Sequence, residues 1–114
     1  MASIDGTTIT IPRGDYFACA MQMYVQDPET GEETLYELQD GETAWFAMKA
    51  DYDDTDTIIH KQLTDNYVLE IFSRETEGLE FGTYYYDAYL LDANGERTTY
   101  IQYAKIKLDK EVHT

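Results

Sequence analysis

In an extended backbone the stretch "GTYYYDAYLLD", residues 82–92, sorts its side chains into two sets. Tyr84, Tyr86, Ala88 and Leu90 fall to one side, and Tyr85, Asp87, Tyr89 and Leu91 to the other. "TTYIQYAKIKL" at 98–108 repeats the pattern. So does "TAWFAMKAD" at 43–51, with Ala44, Phe46, Met48 and Ala50 opposed to Trp45, Ala47 and Lys49. A period of two is the mark of a strand with unlike faces, and helical spacing is scarce in this chain. The chain must therefore bury itself as sheets.

The remaining segments fit that reading. "TTITI" at 7–11 is a short β-branched run closed by Pro12, as suits a strand end or edge. From Tyr16 to Val25 the odd positions Phe17, Cys19, Met21, Met23 and Val25 form an apolar face, which predicts one long strand. "DPETGEE" at 27–33 has loop chemistry. "DTIIHKQL" at 56–63 and "NYVLEIF" at 66–72 read as a hairpin joined by the polar turn "TDN". "SRETEGL" at 73–79 predicts one helical turn near 74–78, capped by Ser73, answered by Thr76 or Glu77, and ended by Gly78. Asn94-Gly95 in "DANGE" is a hairpin signal of the type I′ kind, in which both residues take positive φ. About seven strands with turn chemistry between them describe an all-β protein, an immunoglobulin-like antiparallel β-sandwich. One domain spanning 1–114 is expected, with 1–6 and 110–114 flexible, because a chain of 114 residues buries roughly 65% of its unfolded surface around a single core.

Charge narrows the partners. Asp and Glu number 23 against 8 Lys and Arg, a formal charge of -15. Such a field repels nucleic acid, whose tight binding needs Lys and Arg to displace phosphate counterions, and it disfavours an anionic membrane surface. No apolar run of about 18 residues is present to span a bilayer. The start "MASIDGTTIT" has neither basic residues nor an apolar core, so no classical secretory signal is expected. Cys19 is the sole cysteine, which rules out an intramolecular disulfide.

Catalytic chemistry is thinly supplied. The histidines are His60, in an expected strand, and His113; Cys19 lies on an apolar strand face, where a thiol acts as a small hydrophobe. The sequence has no phosphate-cradling glycine loop, zinc spacing or nucleophile elbow, so neither enzyme activity nor a cofactor is expected. Asp51, Asp53 and Asp56 in "DYDDTD" resemble the start of a calcium loop. The register fails where Asp56 stands in place of Gly and Gln62 in place of Glu, which favours a solvated loop and no metal. The eleven tyrosines admit two readings. They fill half-buried cross-strand sites, or Tyr85, Tyr89, Tyr100 and Tyr103, with Trp45, form a binding surface that joins apolar area to hydroxyl groups.

"ITIPRGDYFACAMQM" at 9–23, "AWFAMKADYDDTDTIIHKQL" at 44–63, and "RETEGLEFGTYYYDAYLLDANGERTTY" followed by "AKIKL" together resemble the immunoglobulin-like N-terminal domain of tailed-phage baseplate upper proteins and related prophage structural proteins. The resemblance covers nearly the whole chain through the order and spacing of these pieces. It implies that Arg13, Gly14 and Asp15 form a turn before the second strand. Thr76, Gly78, Leu79, Gly82 and Tyr84 form the corner before the penultimate strand, and Asn94 and Gly95 the last hairpin tip. It further implies a non-enzymatic structural adaptor in a virion, at baseplate or tail, with phage structural proteins or further copies of itself as partners. Arg13-Gly14-Asp15 is accordingly read as turn chemistry rather than a cell-adhesion tripeptide. The alternative function is a module that binds carbohydrate or a cell surface through Tyr and Trp.

Overall fold

The register of the two longest strands fixes the frame of the computed structural model, which describes residues 3–51, 53 and 55–110. β9 (Gly82–Leu91) and β10 (Arg97–Asp109) pair antiparallel, and a mixed six-stranded sheet grows from them in the order β1-β2-β10-β9-β6-β7. Its other members are β1 (Ser3–Asp5), β2 (Thr8–Pro12), β6 (Thr43–Lys49) and β7 (Ile59–Gln62). Against one face lies a two-stranded sheet of β3 (Phe17–Ala20) and β8 (Val68–Ile71). A separate hairpin, β4 (Tyr24–Gln26) with β5 (Glu33–Leu35), projects as an arm. The result is an all-β sandwich.

The core is what the alternation dictates. Ala44, Phe46 and Met48 of β6, Tyr86, Ala88 and Leu90 of β9, and Ala104, Ile106 and Leu108 of β10 meet Phe17, Leu69 and Ile71 from the smaller sheet. Phe46 is fully buried and its ring lies 5.4 Å from that of Tyr86. Cys19 packs half-buried against the same core, where burial raises its thiol pKa. Immunoglobulin sandwiches with an inter-sheet disulfide place cystine sulfur and a tryptophan at such a centre; here a phenylalanine and a tyrosine fill it.

Several expectations need correction. The sheet is not wholly antiparallel, because β2 runs parallel to β10, with Ile9 opposite Ile106 and Ile11 opposite Leu108. Among the described residues the strands number ten rather than about seven: β1, β4 and β5 are additions. Residues 3–5, expected to be flexible, pair with β2, while 1–2 and 111–114 lie outside the described residues. The long strand expected over 16–25 breaks after Ala20, so that Val25 stands exposed on the arm. β7 and β8 are not a hairpin, since β7 joins β6 and β8 joins β3. Between them a 3-10 turn, Asp65–Tyr67, carries the chain from one sheet to the other through positive φ at Asn66 and Tyr67. Lys61 closes the open side of the sandwich by donating to the Glu70 carbonyl at 2.7 Å and pairing with Glu75.

The helical turn α1 (Ser73–Glu77) forms where expected, but its N-cap is Phe72, whose N–H donates to Glu75 Oε1 at 2.9 Å. Gly78 ends it at an ordinary φ of -88°. Thr76 is fully buried, and its Oγ1 accepts the Gly14 N–H at 2.8 Å. Arg13 donates to the Leu79 carbonyl and lays its guanidinium 4.1 Å over the Phe81 ring. Gly14, at φ 86°, lets the turn close with Asp15 N–H donating to Pro12 O. Gly82 opens β9, and the Tyr84 hydroxyl reaches back to the Glu80 carbonyl at 2.8 Å, pinning the corner that leads into the strand. The Asp92–Glu96 tip differs from the expected type I′ turn. Gly95 alone has positive φ, and Asp92 Oδ1 accepts the N–H groups of Asn94 and Glu96, so the loop is a type I turn closed by a left-handed glycine.

Burial leaves a mark on titration. Desolvation pushes the Tyr86 hydroxyl up to about 12 and also raises that of Tyr100. An unfolded tyrosine ionises near pH ~10. The folded values lie above the unfolded one, so this stability is complete below pH ~10 and is lost as pH rises towards about 12. Alkaline titration followed by tyrosinate absorbance is expected to show a late-ionising set that appears only as the β-sheet circular dichroism collapses. Ionisation of every tyrosine in one step near pH ~10, with the dichroism intact, would contradict the burial.

Candidate functional site

The six-stranded sheet has a second face, turned away from β3 and β8, and strand alternation decides what it carries. β6 contributes Trp45, Ala47 and Lys49, β7 His60 and Gln62, and β9 Tyr85, Asp87 and Tyr89, in registers that set them side by side. Gln62, Trp45, Tyr89 and Thr99 form one cross-strand row, and Lys49, Tyr85 and Lys105 another. Lys105 and Lys107 of β10 alternate with buried Ala104, Ile106 and Leu108, and so belong to this outer face.

Planar groups organise the first row. The His60 ring lies 5.0 Å from Trp45 and stacks on Tyr89 at 6.2 Å, with Nε2 2.6 Å from the Tyr89 hydroxyl. Across Tyr89 the Arg97 guanidinium sits 3.9 Å over the ring, close enough for cation–π attraction. Arg97 also lies 3.7 Å from the Asp87 carboxylate, which accepts the Tyr103 N–H. Between these neighbours Tyr89 is only 6% exposed. Burial raises its hydroxyl pKa, and the Arg97 charge partly offsets that rise. Trp45 donates from Nε1 to Thr43 Oγ1 at 2.7 Å.

Two register shifts in β10, between Thr99 and Ile101 and between Ile101 and Ala104, interrupt the ladder. Tyr103 takes a positive φ of 56° there. The disruption opens a cleft of about 160 Å³ lined by Lys49, Tyr85, Asp87, Arg97, Gln102 and Tyr103. β-Bulges re-aim side chains in this way.

Of the five aromatic candidates, the structure brings Trp45, Tyr85 and Tyr89 onto one face and sets Tyr103 beside them. Tyr100 does not join them. It shares the even-numbered side of β10 with buried Ala104, Ile106 and Leu108 and faces inward, where its hydroxyl donates to the Met21 carbonyl at 2.6 Å. Tyr89 is on the expected face but is roofed by His60 and Arg97, so it is not an open stacking platform. Sequence reasoning set Asp87 beside Tyr85 and Tyr89 and Lys49 beside Trp45 without naming them as site residues, missed Arg97 and Lys105, and weighed His60 only for catalysis. The alternation in β6 and β9 carried the signal for Lys49 and Asp87.

The other expected sites lie elsewhere. Arg13, Gly14 and Asp15 are a turn bound to the α1 corner, with Arg13 half-buried. Asp51, Asp53 and Asp56 are exposed in the loop between β6 and β7, and among the described residues no group of three or more His, Cys, Asp or Glu stands close enough to hold a metal ion. Also among the described residues, no helix is long and apolar enough to cross a membrane. Comparison with protein-family models, with curated proteins and with solved structures finds no match.

Proposed function

We propose that this chain is a non-enzymatic structural adaptor of a phage or prophage particle, placed at the tail or baseplate and working by protein–protein assembly. The observation that carries assembly is the outer face of the six-stranded sheet. It is a broad surface of Trp45, Tyr85 and ordered His60 and Arg97 side chains, while the smaller sheet covers the opposite face. Tyrosine, tryptophan and arginine are the residues enriched at protein interfaces. The planar groups here are committed to one another through His60–Tyr89 and Arg97–Asp87 contacts, which gives a pre-ordered surface of the kind that binds at low entropic cost. The particle context comes from the resemblance carried by residues 9–23, 44–63, 74–100 and 104–108. A net charge of -15 suits a subunit that must stay soluble until it assembles.

The test is to purify particles from the host that encodes the chain and probe density-gradient fractions with an antibody against it. The chain is expected to co-sediment with intact particles and to withstand a salt wash. Its recovery only at the top of the gradient would overturn the virion assignment.

Carbohydrate binding is a second reading, favoured by the Trp45 indole beside His60 at the sheet surface. Glycan-array hits that vanish in Trp45→Ala would establish it in place of the adaptor reading. An array without hits would remove it.

A further inference from the structure

Charge in this chain is segregated. No Lys or Arg occurs between Arg13 and Lys49, and the arm tip, Asp27 to Glu33, holds Asp27, Glu29, Glu32 and Glu33, all exposed. Four of the eight cations, Lys49, Arg97, Lys105 and Lys107, stand on the outer sheet face, against Asp5, Asp87 and Asp109 there. Lys49 and Lys105 flank Tyr85 on its two neighbouring strands, which sets them roughly 10 Å apart. Among the described residues neither is in an ion pair. On a molecule this acidic, a cationic sheet face is a local exception, and two ammonium groups held side by side gain from a carboxylate placed between them.

The arm is built to reach out. β4 and β5 pair only with each other, and all six of their residues are exposed. Its base is fastened by Tyr36 N–H donating to Met23 O and by Tyr67 donating to the Tyr36 carbonyl. Its tip is shaped by Asp27, which accepts from Glu29 N–H at 2.8 Å.

We propose that the acidic β4–β5 arm of one copy docks on the cationic outer face of the next. Its tip lies over the Lys49–Tyr85–Lys105 row, and a carboxylate enters the cleft beside Arg97. This inference rests on the assembly reading above and names a second copy of the chain as the partner. Arm and face are different surfaces, so the contact is head-to-tail and either closes into a ring or continues as a filament. A hairpin tip on a sheet buries less than the ~1,200 Å² of a standard interface, so each contact is weak and assembly depends on concentration. Electrostatic complementarity of this kind speeds encounter and fixes register.

The experiment is light scattering coupled to size exclusion, across protein concentration and from about 10 mM to about 1 M salt, over which the Debye length falls from roughly 30 to 3 Å. The native chain is expected to rise above monomer mass at low salt and return to it at high salt. A face variant, Lys49→Glu with Lys105→Glu, and an arm variant, Glu29→Lys with Glu32→Lys and Glu33→Lys, are each expected to stay monomeric. Their equimolar mixture is expected to regain the native mass, because each variant's arm now complements the other's face, and this recovery excludes misfolding as the cause. An arm variant that associates as the native chain does, or a mixture that stays monomeric, overturns the proposal. A native chain that is monomeric throughout also overturns it, while co-sedimentation with particles would leave the adaptor reading in place.

Discussion

Phe46→Ala is expected to lower stability by about 3–5 kcal/mol, the range for emptying a fully buried aromatic site. The ring has no solvent exposure and packs on Tyr86 at the centre of the sandwich, where no disulfide shares the task of joining the sheets. A domain of this size commonly has only ~5–15 kcal/mol to lose. Chemical denaturation followed by circular dichroism measures the effect. Trp45→Ala, one residue away on the outer face, is expected to cost about 1 kcal/mol. Equal losses from the two substitutions would mean that the assignment of β6 faces is wrong.

The second large effect is at the corner. Thr76→Val keeps the shape of the side chain and removes the oxygen that accepts the Gly14 N–H. A donor left without a partner in a part-buried site costs about 1–3 kcal/mol. The loss is expected to appear in denaturant unfolding, together with faster hydrogen exchange at the Gly14 amide, whereas Thr76→Ser should retain most of both. If Thr76→Val unfolds at the native midpoint, the Arg13-Gly14-Asp15 turn does not depend on α1 for its anchorage.

Period-two alternation made β6, β9 and β10 legible, together with their inner faces, because burying one face of a sheet leaves few other patterns. The same signal misled where it outlasted the strand. Met21 and Met23 continue the odd-position pattern of Phe17 and Cys19, yet the chain leaves the sheet after Ala20 to form the arm. A polar tripeptide between two apolar runs looks alike whether it returns the chain into the same sheet or crosses to another, and so the β7–β8 connection was read as a hairpin. The outer face was half legible. Trp45, Tyr85 and Tyr89 follow from alternation alone, and so does the inward side of Tyr100, which it shares with Ala104 and Ile106, but the packing of Ile101 against the core opposite Ala88 depends on the register shifts in β10. No local residue preference encodes those shifts, which fall where β10 has β9 alone as a ladder partner, β2 joining it only from Ile106 onward.

The parallel pairing of β2 with β10 has a kinetic consequence. Ile9 and Ile11 find their partners Ile106 and Leu108 only after all the chain between them has been made and brought together, a closure that is slow because its entropy is lost before its contacts form. Until then β2 has one local companion, β1, joined to it through the tight turn at Gly6. The two strands are therefore expected to form a small hairpin first, with one edge covered, and to dock once β9 and β10 have paired. The opening of this N-terminal hairpin would bare the edge of β10, making that edge the native sheet's point of entry for an exchanged strand.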